Sequence, residues 1–223
     1  MIRFFDIFFS VVAIFFLSPL FVFVIFLLRF SGEGEIFYYQ KRVGKAGNIF
    51  NVLKFATMLK NSPNIGSKNI TIQNDPRVLP LGKLLRKTKI NELPQLLNVL
   101  IGDMGLIGYR PLTPDQTELY SKKGKEYIYI NKPGLSGVGS IIFRNEEEIL
   151  GKVSNPENFH KTVIIPYKEE IEIWYSKNTS LLNYFVLIYL TIESVMIPRS
   201  KRLWRMFPEL PKPNNRLFKF IGP

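Results

Sequence analysis

Between Ile7 and Leu28 the chain carries no charged residue, and the run is fenced by Arg3 and Asp6 on one side and by Arg29 on the other. A helix needs about 20 residues to cross the hydrocarbon core of a bilayer, so this run is long enough. It exceeds the apolar stretch of a cleaved leader, and no small-residue cleavage site precedes Arg29, so it is expected to stay as an anchor. Ser18-Pro19 falls in its middle. Proline removes a backbone donor and clashes with the preceding turn, so the helix is expected to bend there. Two geometries satisfy the pattern: a kinked span, and a helix that enters, bends and leaves by the same face. Hydropathy does not separate them.

After the turn-rich Ser31–Glu35, the alternation changes character. Ile36–Gln40 and Asn48–Phe55 read as two short strands around the basic, glycine-containing Arg42–Gly47, a hairpin. Lys54 closes the second strand. Asn61–Gln73 is polar and reads as a surface loop. From Lys83 to Pro111, cations at Lys83, Arg86 and Lys87 recur at helical spacing, while Leu93, Leu96, Leu97 and Leu100 predict an apolar helix face. Thr113-Pro114-Asp115 is expected to cap a helix reaching about Tyr120. Lys132–Ser140 contains three glycines, which let backbone approach a ligand closely, and it delivers Arg144 shortly afterwards. Asn155–Lys177 has helical periodicity. Leu181–Met196 is apolar except for Glu193, too short for a span, and fits a helix lying against core or membrane surface. The pattern as a whole predicts an α+β, mostly helical fold with one small β-hairpin and amphipathic interfacial helices.

Composition narrows the chemistry. With 46% hydrophobic and 14% aromatic residues the chain can bury a core. It has no cysteine, which excludes disulfides, thiolate catalysis and cysteine-held metals, and its one histidine, His160, reads as a surface or packing residue. The net charge of +12 calls for an acidic partner. The basic and aromatic stretch beyond Pro198 is expected to hold the chain to an anionic leaflet. No nucleic-acid-binding motif accompanies the charge, so nucleic acid is set aside as a partner. The positive-inside tendency places the basic remainder on the cytoplasmic side.

Within Lys83–Pro111, Glu92 sits in apolar surroundings beside fixed cations, with Arg110 close behind in sequence. A carboxylate so placed can act at a phosphoryl centre while arginines hold its oxygens. The alternative is an ordinary core helix bearing a solvated charge.

Several motifs together resemble the bacterial sugar transferases, monotopic polyprenol-phosphate phosphoglycosyl transferases. They are the apolar run with Ser18-Pro19, Lys54-Phe55-x-Thr57-Met58, Asp75-Pro76-Arg77-Val78, Leu85-Arg86-Lys87-Thr88, Glu92-Leu93-Pro94-Gln95-Leu96, Asn98-Val99-Leu100, Gly102-Asp103-Met104, Arg110-Pro111, Lys132-Pro133-Gly134 and Arg144-Asn145. The resemblance covers nearly the whole chain. It implies a re-entrant anchor at 1–30, a cytoplasmic catalytic domain at 31–198 and a membrane-associating tail at 199–223, on the cytoplasmic face of a bacterial inner membrane. It also implies transfer of a sugar 1-phosphate from a UDP-sugar to undecaprenyl phosphate, with UMP released, assisted by Mg²⁺. The oligomeric state is left open.

The resemblance assigns roles by position. Glu92 is the retained acid, expected to serve as nucleophile, as base or as a magnesium ligand, and Glu172 falls at an acidic position near the metal. By their own chemistry, Lys54, Arg86, Arg110 and Arg144 are expected to hold phosphate. The family pairs Asp with Glu, and the Asp attacks phosphorus, whereas this chain has Asn91-Glu92. An amide is a poor nucleophile and a weaker metal ligand than a carboxylate. Asn91 is therefore expected to orient substrate or metal through its carbonyl oxygen. Tyr109-Arg110-Pro111 and Ser136–Ile141 also depart from the usual pattern. An inactive, ligand-binding homologue is the alternative. The joint presence of Arg86, Arg110 and Arg144 favours the active enzyme.

Overall fold

The computed structural model describes residues 1–62, 75–197 and 200–222. Of the predicted loop Asn61–Gln73, all beyond Ser62 lies outside the described residues, as do Pro198 and Arg199 of the tail boundary.

Helix α1 (Ile2–Arg29) spans the whole apolar run, with Pro19 inside it and the Ser18 hydroxyl donating to the Phe15 carbonyl at 2.8 Å. It is long and apolar enough to cross a membrane. Its exposed side chains, Phe15 at 72% and Phe16 at 73% among them, would each lose favourable burial in water. Both ends of α1 pack on one globular body. At the N-terminal end, Arg3 donates to the carbonyls of Val99 and Leu100 at 2.5 and 2.8 Å. The buried Asp6 carboxylate accepts from the Leu106 backbone N–H at 2.9 Å and the Tyr184 hydroxyl at 3.0 Å. At the other end, Val24 and Leu28 are buried against Phe55 and Leu85.

The predicted hairpin forms as antiparallel β1 (Phe37–Val43) and β2 (Ile49–Phe55), with Phe37 opposite Phe55. The intervening turn puts Ala46 and Gly47 at φ of 57° and 78°, the left-handed region where glycine is at ease. Helix α2 (Pro80–Lys87) begins on a proline whose missing N–H would have been unpaired there. Gly82 passes so near the Thr57 carbonyl that a Cβ would stand 2.1 Å from its oxygen.

Helix α3 (Gln95–Ile101) buries Gln95, Leu96, Asn98 and Val99. The expected face of Leu93, Leu96, Leu97 and Leu100 is therefore not the buried one, and Leu97 is exposed. The reason is Asn98, which accepts from the Leu53 N–H at 2.9 Å and donates to the Asn51 carbonyl at 2.8 Å, pinning α3 to β2 by polar contacts. An amide facing a strand pulls its neighbours with it and rotates the helix.

Thr113 caps α4 (Pro114–Thr117) in a reciprocal capping box with Gln116, and the helix stops short of the expected Tyr120. Then come α5 (Lys122–Ile130) and a short parallel pair, β3 (Gly105–Ile107) with β4 (Gly134–Ser136). Next are α6 (Val138–Ile142), α7 (Glu146–Gly151) and α8 (Pro156–Phe159). Asn155–Lys177 is not one regular helix: a π-turn, His160–Ile164, separates α8 from α9 (Ile165–Lys177). Helix α10 (Leu181–Met196) has the expected limits and runs through the largest core cluster with α9. The tail adds α11 (Arg202–Met206) and α12 (Asn215–Ile221), anchored by the buried Leu203 and Leu217. The fold is α+β and mostly helical.

Candidate active site

A cavity of about 780 Å³ opens between the hairpin, α2, α6 and α10. Among its lining residues are Lys54, Arg86, Asn91, Glu92, Arg110, Arg144 and Glu172, so every side chain named from the sequence for chemistry reaches the same space.

Backbone geometry delivers the central pair. Lys89 adopts φ of 62°, and this left-handed residue turns the chain out of α2 into the single turn Ile90–Glu92. Asn91 is thereby buried at 5% exposure, and its Oδ1 has no hydrogen-bond partner among the described residues. Glu92 meets Arg110 in a fork: Oε1 accepts from Nη2 at 2.7 Å and Oε2 from Nη1 at 3.3 Å. Burial alone would raise the Glu92 carboxyl, but the positive field of Arg110, Lys54 and Lys89 outweighs it and holds the group far below the usual carboxylate range. The same pairing pushes the Arg110 guanidinium up. Glu92 is thus a permanent anion at neutral pH.

Of the cations lining the cavity, Arg86, Arg110 and Lys168 are ion-paired, whereas Lys54, Lys89 and Arg144 are not, among the described residues. Burial, with Arg42 adding repulsion, drives the Lys54 ammonium well below its ordinary value. Lys89 is lowered for the same first reason. Lys54 and Arg144 form no side-chain ion pair among the described residues. Arg144 does not pair with Glu146–Glu148: Glu146 takes Lys168 at 2.7 Å and His160 at 3.3 Å, Glu147 takes Arg86 at 2.5 Å, and Glu148 takes Lys152 at 2.6 Å. A cavity with this excess of positive charge suits an anion bearing several phosphate oxygens.

Sequence reasoning missed part of the site. Arg42 donates to the Gln40 and Gln116 side chains and to the Pro111 carbonyl, and burial lowers it to about 10. His160 is neither at the surface nor merely packing; it is buried and bonded to Glu146. Only a contact between α7 and the π-turn could have revealed that triad, because nothing in local spacing links Glu146, His160 and Lys168.

The glycines of Lys132–Ser140 serve packing between protein segments. A Cβ at Gly134 would stand 2.1 Å from the Gly108 N, one at Gly137 2.0 Å from the Gly108 O, and one at Gly139 2.4 Å from Glu172 Oε1. Glu172 itself is buried, its Oε2 lacks a partner among the described residues, and burial pushes its carboxyl up to about 8.

No group of three or more histidine, aspartate or glutamate side chains suited to a metal occurs among the described residues. A weaker set does fit a magnesium ion. That ion takes one or two carboxylates and completes its shell with substrate phosphates and water. The orphaned Asn91 Oδ1 and the loosely engaged Oε2 of Glu92, on adjacent residues of one cavity wall, supply two hard oxygens.

Residues 1–198 match the family described as bacterial sugar transferase. The exopolysaccharide production protein ExoY of Sinorhizobium fredii strain NGR234 is 34% identical over 211 residues, covering 88% of this chain and 86% of the relative. The undecaprenyl-phosphate galactose phosphotransferase of Salmonella typhimurium is 31% identical over 208 residues, covering 87% and 40%. The UDP-N-acetylgalactosamine-undecaprenyl-phosphate N-acetylgalactosaminephosphotransferase of Aeromonas hydrophila is 32% identical over 193 residues, covering 86% and 42%. The chain is a transferase enzyme and belongs to the bacterial sugar transferase family.

Proposed function

We propose that the protein moves a sugar 1-phosphate from a UDP-sugar to undecaprenyl phosphate at the cytoplasmic face of the inner membrane, releasing UMP and starting a surface glycan. The Arg110–Glu92 fork in a cavity otherwise crowded with cations carries the reading, because it offers a fixed frame for a diphosphate. The named substrates of the Salmonella and Aeromonas relatives support the lipid and nucleotide classes.

In this reading α1 is re-entrant. Its two ends touch one body, so a single face of the membrane accommodates both.

Arg110, Arg144 and Arg86 hold the diphosphate oxygens, and Lys54 adds charge as phosphate enters its desolvated surroundings. An oxygen of the lipid phosphate attacks the sugar-bearing phosphorus, the bond to the uridine-linked phosphate breaks, and UMP departs with that bonding pair. Asn91 stands where the family resemblance expects a nucleophile, and Arg110 engages Glu92 most closely through Oε1, so in this reading displacement is direct, without a covalent adduct. Asn91 and Glu92 would hold magnesium, which supplies counter-charge to the diphosphate when bound. Glu172, kept largely neutral by burial, suits a cation less well.

The test is UMP release from the purified full chain given undecaprenyl phosphate, Mg²⁺ and a panel of UDP-sugars. Turnover with one or more sugars is expected. Silence with all of them, while Asn91→Asp turns over, would identify the native chain as the inactive homologue.

A further inference from the structure

A second cavity, of about 460 Å³, shares Arg144 and Ser194 with the first. Helix α10 contributes Leu190, Glu193 and Ser194, while the tail contributes Ser200, Lys201, Trp204, Phe218 and Lys219. The tail lies beyond residues 1–198, which match the family model.

Three observations specify a ligand. First, the acids here are occupied while three cations are not. Glu148 pairs with Lys152 at 2.6 Å and Glu193 with Arg202 at 3.5 Å, whereas Arg144, Lys201 and Lys219 have no acid partner among the described residues. A phosphate matches that excess.

Second, Glu193 is only 8% exposed and only half satisfied. Its Oε1 accepts from the Ser200 hydroxyl at 2.6 Å, but its Oε2 has no partner among the described residues. A buried acceptor without a donor is costly, so a ligand whose hydroxyl reaches it would be favoured.

Third, Trp204, Phe218 and Ile221 make part of the wall apolar, and α10 turns Ile192, Val195 and Met196 outward from the same stretch that lines the cavity. That arrangement suits a headgroup whose chains leave along an apolar helix face.

We infer that this cavity binds the headgroup of an anionic phospholipid carrying free hydroxyls, of the phosphatidylglycerol type, through Lys201, Lys219 and Glu193, with Arg144 shared between it and the transferase cavity. A polyprenyl phosphate would meet the cations but has no alcohol hydroxyl for Glu193. Occupancy would therefore report membrane composition to the arginine that faces substrate.

The experiment is native mass spectrometry of the full chain ejected from phosphatidylcholine nanodiscs containing phosphatidylglycerol or phosphatidic acid. It needs no turnover, so it stands apart from the assignment of substrates. Retained phosphatidylglycerol should exceed phosphatidic acid. Lys201→Gln/Lys219→Gln, two exposed changes that leave the core intact, should weaken retention by roughly 25-fold, since each cation near an anionic headgroup contributes about fivefold. Glu193→Gln, checked for an unchanged melting temperature, should lose the preference between the two lipids. Equal retention of both by the native chain, indifference to the double substitution, or one-for-one displacement of phosphatidylglycerol by undecaprenyl phosphate would each overturn the inference.

Discussion

Glu92 and Arg110 are 18 residues apart in sequence, yet both carboxylate oxygens of the one face both terminal nitrogens of the other. Only a planar guanidinium makes this fork, and a lysine ammonium would act as a point charge with different reach. Arg110→Lys should therefore lower kcat for UMP release by about 100-fold, the order seen when one preorganised charge-stabilising donor is lost. Glu92→Gln, which leaves Arg110 without its counter-ion, should do at least as much. Steady-state rates measured beside melting curves check both, and a full rate in Glu92→Gln would remove that residue from the chemistry.

The residues that share this cavity could be named from the chain because a cluster of cations around Glu92 and a set of motifs mark them, while the helices and strands that carry them follow local period. The long apolar helix α1, the hairpin and α10 were legible for that reason. The pairings were not. Asn98 turning α3 toward β2, and Glu146 joining His160 to Lys168, depend on segments brought together only by the finished fold. The glycines of Lys132–Ser140 illustrate the same limit: sequence identifies a place where backbone comes close, but not whether a ligand or Gly108 and Glu172 come close to it.

Asn91 supplies a sharper test of route. If the lipid phosphate attacks directly, native protein mixed with UDP-sugar alone should show no mass increase. Asn91→Asp restores a carboxylate in a buried position beside an anion and several cations. That variant should accumulate a covalent phosphosugar when the lipid is withheld, and intact-protein mass spectrometry will register it. An adduct on the native chain would replace direct displacement with a covalent route through another residue.

The topology of α1 is open to labelling because the chain has no cysteine of its own. Ile2→Cys and Phe30→Cys place one thiol at each end of the helix. A re-entrant anchor makes both inaccessible to an impermeant maleimide added to intact spheroplasts and reactive once the membrane is opened. Labelling of Ile2→Cys alone from outside would establish a true span.

Glu172 gives the fold a dependence on pH whose sign follows from burial. Its carboxyl stands at about 8 in the folded chain against an ordinary value of 4.5, because a charge is unfavourable where it lies. The folded state therefore binds the proton more tightly than the unfolded one. Between those two values the folded chain holds a proton that the unfolded chain has released, so stability falls as pH rises, by about 1.4 kcal/mol for each pH unit. The contribution is complete below the unfolded value and gone above the folded one. Glu92 and Glu146, whose carboxyls are held low, act with the opposite sign, and their effect is confined to the acid edge of this window, where the unfolded carboxyls near 4.5 still bind protons. Denaturant midpoints at pH 5, 6.5 and 8 should decline for the native chain, and Glu172→Gln, which keeps the shape against Gly139 without the charge, should flatten that decline. An unchanged slope in the variant would mean that Glu172 titrates as an ordinary carboxylate.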